Sequence, residues 1–406
     1  MKIALFGLKT SELINFRGWL IDDLIAAGHE VVACAPDPDP ASIADLRRRG
    51  AGYRAVSFDR TALDPLSDLR LIGHLRLLLA EIAPDALLVA GAKPVVYGTI
   101  AAKLQGVPRI FSIIEGMGYA FGTGREVRRR LARLALSGLY RATLRHSSIV
   151  FVMNEGDRDF LNRSGLFQDR DRTVLVNGTG IDLEQFPCAV PPSPSTPSRD
   201  GDGAPVRFLM IARLLKDKGV VEYVRAARRL RRTHPNCEFH LLGRVDRNPA
   251  SVRPADVARW QEEGIIRYGG EVGDVRPHLR GCDVFVLPSY YREGVPRTIL
   301  EAMATGRPVI ATDEPGCRQA VVDGETGLLV PSRDVGALAA AMDTLRADSS
   351  LRRLLGLGGR RRVEREFEAK AVNAVMIRAM GLGARTAPRV PRVSLEVEPA
   401  DAGASP

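Results

Sequence analysis

The sequence has no long apolar run, few cysteines and few histidines, and each shortage excludes a class of protein. No stretch of about 18 consecutive apolar residues occurs, so no membrane-spanning helix is expected. Residues 1–7 lead directly into a strand-like run, without the cleavage site of a signal peptide. The five cysteines are widely spaced, which predicts neither zinc sites nor disulfides and favours a reducing cytoplasm. The six histidines lack metal-binding spacing, so no bound metal is expected.

Length and charge set the next limits. A chain of 406 residues exceeds one ordinary hydrophobic core, so two domains are expected. The net charge of +10 is concentrated in residues 125–145, which contain seven arginines and one glutamate. Such a segment suits nucleic acid, anionic lipid or an acidic substrate. Because no zinc-finger or RNA-recognition signature accompanies it, nucleic acid is not an expected partner.

Strand-like and helix-like segments alternate in both halves, which predicts an α/β fold with two doubly wound parallel sheets. In the first half the predicted strands are residues 3–6, 31–35, 86–89, 109–113 and 149–152, with helices at 17–27 and 69–82. In the second half the predicted strands are residues 208–211, 238–242, 266–268, 284–287 and 309–311.

A stretch rich in proline and serine separates the two halves and predicts a linker at residues 187–205. The predicted domains are therefore residues 1–186 and residues 206–383. Residues 384–406 have little apolar periodicity and are predicted to be a disordered tail.

The most informative motif is a pair of glutamates, Glu293 and Glu301, around the start of a predicted helix. Pro296 suits the first position of that helix. The free N–H groups of a helix N-terminus favour an anion, so Glu293 and Gly294 lie where a diphosphate would bind. Because Glu301 lies in the early turns of the same helix, both carboxylates are expected to reach one ligand.

Two cations upstream strengthen this interpretation. Arg213 lies just past a predicted buried strand, and Lys218 lies at the start of the next helix. Cations beyond the carboxyl end of a strand suit a diphosphate. A pair of surface glutamates on an ordinary βα unit is the alternative for the motif taken alone.

Arg213, Lys218 with Gly219, and the Glu-x7-Glu motif together resemble the nucleotide-sugar half of the retaining GT-B glycosyltransferases, often called family 4. The similarity extends over about residues 1–383 and implies two Rossmann-like domains that face each other across a cleft. Residues 115–118, 152–155, 210–213, 243–249 and 288–294 are similar to the subgroup that adds N-acetylgalactosamine to diacetylbacillosaminyl-diphospho-undecaprenol.

The resemblance implies a role for each donor-side residue. It assigns Glu301 to the ribose hydroxyls, and Glu293 to the donor sugar and diphosphate. Arg213 and Lys218 would neutralise the diphosphate, where fixed cations stabilise the charge that develops on the leaving group. The remaining donor-binding candidates are Gly243, Arg244, Gly294, Val295 and Thr298.

The first domain is expected to bind the acceptor. Glu115 follows a predicted strand and is the first-domain candidate for catalysis, as a base for the acceptor hydroxyl or as an orienting group. Many relatives carry a histidine near this position, so Glu115 departs from the broad pattern. Arg17 is a second acceptor-binding candidate, and Lys93 is placed to meet the acceptor diphosphate or to be a surface lysine. The catalytic candidates are Glu115, Lys218, Arg213 and Glu293.

Residues 125–145, drawn as a helix, carry two stripes. Val127, Leu131 and Leu134 lie on the stripe that is expected to pack on the first domain. The opposite stripe is expected to face an anionic membrane surface, because it interleaves cations with large apolar groups. Its residues are Arg125, Arg129, Arg133, Leu136 and Tyr140. A solvated basic helix is the alternative.

The leading hypothesis is a retaining, metal-independent transferase at the inner face of the cell membrane. It would move a sugar, N-acetylgalactosamine or a related hexose, from a UDP-sugar to a polyprenyl-diphosphate-linked saccharide in bacterial surface-glycan or glycoprotein-glycan assembly. No cofactor is expected. The alternatives are a GDP-sugar donor or another acceptor, a non-hydrolysing UDP-N-acetylglucosamine 2-epimerase, and a nucleotide-sugar-binding protein without catalysis.

Overall fold

The computed structural model describes residues 1–57, 65–118, 121, 127–189, 205–245 and 250–383. Within these ranges the first half of the chain forms a parallel sheet of seven strands. They are β1 (Lys2–Phe6), β2 (Glu30–Ala35), β3 (Gly52–Ala55), β4 (Ala86–Ala90), β5 (Arg109–Ile114), β6 (Ile149–Val152) and β7 (Thr173–Leu175). Their order across the sheet is β3-β2-β1-β4-β5-β6-β7.

The second half forms a parallel sheet of six strands within the described ranges. They are β8 (Arg207–Ile211), β9 (Glu238–Leu242), β10 (Arg267–Tyr268), β11 (Val284–Leu287), β12 (Val309–Thr312) and β13 (Gly327–Val330). The order β10-β9-β8-β11-β12-β13 places the first and fourth of these strands side by side, as in the first sheet.

Helices cover both faces of each sheet. Those of the first half are α1 (Thr10–Ala26), α2 (Pro40–Arg48), α3 (Pro65–Ile82), a π-helical turn (Pro94–Gly98), α4 (Thr99–Gln105), α5 (Val127–Leu144) and α6 (Glu155–Arg163). Those of the second half are a 3₁₀ turn (Lys216–Lys218), α7 (Val220–Thr233), α8 (Pro254–Glu262), α9 (Arg276–Gly281), α10 (Arg297–Ala304), α11 (Pro315–Ala320), α12 (Val335–Ala347), α13 (Ser349–Glu366) and α14 (Ala369–Met380).

The alternation of side chains along β1 explains why each sheet needs two helical layers. Ile3 and Leu5 are buried in one hydrophobic cluster, whereas Ala4 and Phe6 are buried in another on the opposite face. A strand that is apolar on both faces is stable only when both faces are covered. The predicted α/β fold class, with two doubly wound parallel sheets, is confirmed.

The strands that the sequence analysis missed are β3, β7 and β13. All of them lie at sheet edges, where a strand pairs on one side only. The residues of β3 and β7 are half-buried or exposed, so these strands lack the apolar runs by which the central strands were predicted. Strand β13 begins with a glycine, a residue that is uncommon in strands, so its short apolar run did not predict a strand.

Helix α14 packs against the first half of the chain. Asn373 on α14 donates from Nδ2 to Asp23 Oδ2 on α1 over 2.9 Å, and the Lys370 ammonium lies 5.5 Å from the centroid of the Trp19 ring. Helix α14 of the predicted second domain, residues 206–383, thus packs against α1 of the predicted first domain, residues 1–186. Residues 190–204 of the predicted linker and the predicted tail, residues 384–406, lie outside the described residues.

Candidate active site

The loop after β5 and the loop after β11 meet between the carboxyl ends of the two sheets. Gly118 donates from its N–H to the carbonyl oxygen of Arg292 over 2.7 Å, and Gly294 donates to the carbonyl oxygen of Glu115 over 2.8 Å. Two backbone hydrogen bonds thus join a loop of the first half to a loop of the second. The structure therefore brings the predicted acceptor-side residue Glu115 next to the predicted donor-side loop.

This close approach requires glycine at position 116. Gly116 has a φ of 120°, a conformation that residues with a Cβ rarely adopt. A Cβ at this position would lie 2.5 Å from the nitrogen of Gly294 and 2.6 Å from Cα of Glu293. Backbone atoms cannot move aside as a flexible side chain can. The two loops therefore pack backbone to backbone.

The Glu293 carboxylate is fixed by two donors. Lys218 Nζ lies 2.5 Å from Glu293 Oε2, and Ser289 Oγ donates to Oε1 over 2.8 Å. The Lys218 side chain is only 12% exposed, and its ammonium also lies 5.4 Å from the centroid of the Tyr291 ring. A cation this enclosed interacts more strongly with an anion than a surface lysine does. Lys218 and Glu293, predicted from separate motifs, thus form one unit.

Glu301 lies one turn into α10 and is buried, with 8% of its surface exposed. Its Oε1 accepts a hydrogen bond from Arg297 Nε over 2.9 Å. Burial raises the pKa of Glu301, and the neighbouring Arg297 opposes that rise. Pro296 is the residue just before the helix rather than its first residue.

Arg17 and Glu115 form an ion pair in the first half. Arg17 Nη2 lies 2.7 Å from Glu115 Oε1, and the Arg17 side chain is 3% exposed. Burial lowers the pKa of Arg17, whereas the Glu115 carboxylate raises it. A buried guanidinium without a neighbouring anion would strongly destabilise the fold. Arg17 therefore holds the Glu115 carboxylate in one orientation. Two predicted acceptor-side residues are therefore in contact.

Lys93 lies in a different setting, after β4. Its ammonium is 3.4 Å from Asp68 Oδ1, and Tyr97 donates from its hydroxyl to Asp68 Oδ2 over 2.5 Å. Both charged side chains are largely enclosed. Lys93 is thus held at the carboxyl end of the first sheet, next to Asp68 rather than as an ordinary surface lysine.

The other donor-side candidates lie at the carboxyl ends of β8, β9 and β11. Arg213 is exposed in the loop after β8, and the N–H of the next residue, Leu214, donates to the carbonyl oxygen of Arg244 over 3.0 Å. Gly243 has a φ of 132°, and a Cβ there would lie 1.8 Å from the carbonyl oxygen of Ala212. Gly294 and Val295 are buried, and Thr298 is half-buried.

Sequence reasoning missed three side chains in this region: Arg297, Arg292 and Asp157. Asp157 is buried, and its Oδ1 lies 3.1 Å from Arg292 Nε. The partners are 135 residues apart, so no local pattern reveals the contact. The one local signal is Asn154, which caps α6.

The predicted orientation of α5 was wrong. Val127, Leu131 and Leu134 were expected to pack inward, yet they are 71%, 62% and 72% exposed. Tyr140 was expected to face a membrane, yet it is 2% exposed and stacks on Phe121 in the core. The reason is that the ring of Tyr140 fills space against the first sheet.

The remaining membrane-facing predictions have mixed outcomes. Leu136 is half-buried and packs against the same core as Tyr140, so its prediction was also wrong. Arg133 is half-buried. Arg125 and the side chain of Arg129 lie outside the described residues.

Two properties of the described residues concern metals and membranes. Across those ranges, no group of three His, Cys, Asp or Glu side chains is arranged to hold a metal ion. No helix there has both the length and the apolar character needed to cross a bilayer.

Domain comparisons match each half of the chain separately. Residues 16–178 match the family described as Glycosyl transferase 4-like domain, and residues 205–348 match the family described as Glycosyl transferases group 1. The boundary between the matches lies between the two sheets.

Two curated relatives align over most of the chain. The N,N'-diacetylbacillosaminyl-diphospho-undecaprenol alpha-1,3-N-acetylgalactosaminyltransferase of Campylobacter jejuni is 28% identical over 87% of this chain and 91% of its own length. A GDP-mannose-dependent alpha-(1-6)-phosphatidylinositol monomannoside mannosyltransferase of Mycolicibacterium smegmatis is 26% identical over 82% of this chain and 85% of its own.

Solved structures share the architecture. Sucrose-phosphate synthase from Thermosynechococcus elongatus aligns with a TM-score of 0.74 at 21% identity, covering 93% of this chain and 98% of that one. The Anabaena protein HepE, solved with UDP and glucose, aligns with a TM-score of 0.72 at 17% identity, covering 94% and 99%. At these identities the likeness establishes the fold alone.

Proposed function

The chain belongs to the family 4 glycosyltransferases of GT-B fold, and from this premise we propose that it transfers a sugar from a UDP-sugar to a polyprenyl-diphosphate-linked saccharide. The transfer retains the anomeric configuration and needs no metal. N-acetylgalactosamine or a related hexose is the proposed sugar, and assembly of a bacterial surface glycan or a glycoprotein glycan is the proposed setting. The Campylobacter jejuni relative supports both the lipid-linked acceptor and the sugar.

The observation that carries this proposal is the enclosed pair of Lys218 and Glu293 beside the Glu115 loop. Departure of a nucleoside diphosphate develops negative charge on the leaving oxygen. A cation already fixed at that place stabilises the charge without reorganising. In the proposed reaction Lys218 and the exposed Arg213 receive the diphosphate, while Glu293 orients the Lys218 ammonium.

The proposed binding place of the acceptor is the Arg17–Glu115 pair. Glu115 projects from the loop that is hydrogen-bonded to the donor loop, so an acceptor hydroxyl held there lies next to the donor sugar. The Arg17 guanidinium fixes the direction of the carboxylate. Glu115 then accepts the hydroxyl proton or orients the acceptor sugar. Lys93 remains the proposed contact for the acceptor diphosphate.

A lipid-linked acceptor implies an anionic membrane surface as partner, and the proposed contact is the face of α5 that carries exposed apolar side chains. Of the nine exposed large apolar side chains within the described ranges, six lie on the neighbouring helices α3, α4 and α5. We name this set the outer apolar surface: Leu69, Leu77, Leu104, Val127, Leu131 and Leu134.

Exposed cations accompany the outer apolar surface. They are Arg70, Arg76, Lys103, Arg130, Arg141 and Arg145. Apolar groups flanked by cations suit the headgroup region of an anionic bilayer. The charge and the apolar area together favour a peripheral position at the inner face of the cell membrane.

The decisive experiment incubates the protein with a panel of UDP- and GDP-sugars and a short-chain polyprenyl-diphosphate-linked saccharide. Release of UDP, dependent on the acceptor, is the expected result, and NMR of the product should show the donor's anomeric configuration. Release of GDP instead of UDP would show that the donor is a GDP-sugar. A sugar product formed without acceptor would favour the epimerase, and no product with any donor would overturn the proposal.

A further inference from the structure

A buried carboxylate of the first half holds the loop that carries Glu293, and the proposed reaction does not use it. Asp157 lies in the first turn of α6 and is fully buried. Its Oδ1 accepts a hydrogen bond from Arg292 Nε over 3.1 Å, and its Oδ2 accepts one from Asn154 Nδ2 over 3.0 Å. A buried charge is costly unless it is paired. Because Arg292 belongs to the second half, the pair spans the two sheets.

The Arg292 guanidinium is held on a second side by an aromatic ring. It lies 4.0 Å from the centroid of Phe160 on α6, which in turn makes an edge contact with Phe121 at 5.4 Å. A planar guanidinium can lie flat on a ring and donate to a carboxylate at the same time, whereas an ammonium approaches a ring only as a compact charge. The site therefore selects for arginine and fixes its orientation.

First-half groups also fix the backbone on both sides of Glu293. Gly118 donates to the carbonyl oxygen of Arg292, and Asn154 Nδ2 lies 3.4 Å from the carbonyl oxygen of Glu293. Gly294 donates in the opposite direction, to the carbonyl oxygen of Glu115. The Glu293 side chain, in contrast, contacts only second-half partners among its hydrogen bonds in the described structure. First-half groups thus hold the backbone around Glu293, whereas second-half groups hold its side chain.

We propose that Asp157 and Arg292 are positioning residues, forming a clamp between the two halves that aligns the Glu293–Lys218 pair with the Glu115 loop. The inference rests on the proposed transferase function, because alignment of the two loops affects turnover only if both serve one reaction. UDP is bound by second-half groups, so opening the clamp leaves UDP affinity in place. Turnover needs both loops, and a displacement of about 1 Å lowers a rate by about 100-fold.

The test separates binding from turnover. Asp157→Asn and Arg292→Gln should each lower kcat at least about tenfold, with the dissociation constant of UDP changed by less than about twofold. The double variant should lose no more than the worse single variant, because either change opens the same clamp. Arg292→Lys keeps the charge without the planar group and should fall between Arg292→Gln and wild type. Asp159→Asn, an exposed position on α6, is the matched control and should behave as wild type.

Two results would overturn the clamp. Single variants that retain more than about half of kcat, or losses that multiply in the double variant, would show that the residues do not act as a unit. A UDP dissociation constant that rises in step with the fall in kcat would make Arg292 a donor-binding residue instead.

A second measurement keeps this inference separate from the proposed function. If wild type transfers no sugar, the proposed function fails, and the clamp is judged by X-ray scattering in the presence of UDP. Asp157→Asn and Arg292→Gln should then increase the radius of gyration relative to wild type and Asp159→Asn. An unchanged radius of gyration in that case would overturn the clamp.

Discussion

Arg297 donates from Nε to Oε1 of Glu301 over 2.9 Å, and its guanidinium lies 5.5 Å from the centroid of the Phe16 ring on α1. The carboxylate proposed for the ribose is thus already paired, and its partner also contacts the first half. A ribose hydroxyl that donates to this carboxylate must share it with Arg297. Arg297 thus joins α10 to α1, a contact that the Glu-x7-Glu motif alone does not reveal.

Glu301→Gln should weaken UDP binding, because it removes the charge from the acceptor of the ribose hydrogen bonds. Hydrogen bonds to charged groups contribute about 1.5–3 kcal/mol, which corresponds to about a 10- to 150-fold rise in the dissociation constant. Calorimetric titration with UDP measures this. Glu262→Gln, an exposed change on α8, should leave affinity unchanged. Equal affinity of Glu301→Gln and wild type would remove Glu301 from the site.

Lys218→Gln should depress turnover more than stability. Removing one donor to a developing oxyanion costs about 100- to 1,000-fold in kcat, and we expect a loss of that size here. Lys216 is exposed on the same 3₁₀ turn, so Lys216→Gln is the matched control with wild-type kcat. Thermal melting should show both variants folded. Wild-type turnover in Lys218→Gln would mean that another group holds the diphosphate.

Glu115→Gln keeps an oxygen for Arg17 but cannot accept a proton. If Glu115 acts as base, kcat should fall by about 100-fold or more, while UDP affinity is nearly unchanged. Turnover is measured at saturating acceptor, with the exposed Glu155→Gln as control. Comparable turnover in Glu115→Gln and wild type would leave Glu115 with an orienting role only.

The sequence predicted the central strands well, because they are encoded locally. Runs of apolar residues identify strands buried on both faces, and Lys218 and Glu293 follow such strands. Contacts between residues far apart in the sequence are a different case. The Arg17–Glu115 pair joins residues 98 positions apart, and a contact of that separation depends on the whole fold rather than on any local pattern.

The prediction of which face of α5 packs inward was wrong for another reason. Its sequence has apolar residues on more than one face, so the rule that apolar residues face inward does not select a single orientation. Tyr140 and Leu144 are buried near its end and decide the rotation. A pattern centred on Val127, Leu131 and Leu134 selected the opposite face.

Gly116→Ala should reduce turnover by separating the two loops. A side chain at a φ of 120° costs about 1–3 kcal/mol, and its Cβ would meet the backbone of Gly294 at 2.5 Å. Gly138 on α5 has open space around it, so Gly138→Ala should retain activity and slightly raise the melting temperature. Turnover assays and thermal melting compare the two. Full activity in Gly116→Ala would show that the loops need not be in contact during the reaction.

The last prediction concerns the outer apolar surface and its binding to liposomes. Replacing Leu131 and Leu134 by Ser removes two exposed apolar groups, each contributing about 1.5–3 kcal/mol when fully buried. Adding Arg130→Ser removes a cation worth about 1 kcal/mol near an anionic leaflet. The triple variant should stay in the supernatant when anionic liposomes are sedimented in about 0.15 M salt, where screening acts over about 8 Å.

The controls distinguish insertion from general charge attraction. Leu354→Ser changes an equally exposed leucine on α13 of the second half and should leave liposome binding intact. Activity of the triple variant on a short-chain soluble acceptor should also survive, because the changed side chains point away from the core that supports the active site. If charge alone drives binding, Leu131→Ser with Leu134→Ser will bind like wild type and only Arg130→Ser will weaken it. Equal sedimentation of the triple variant and wild type would show that α5 does not contact the bilayer, and the acceptor would then have to reach the Glu115 loop by a route that leaves this face in water.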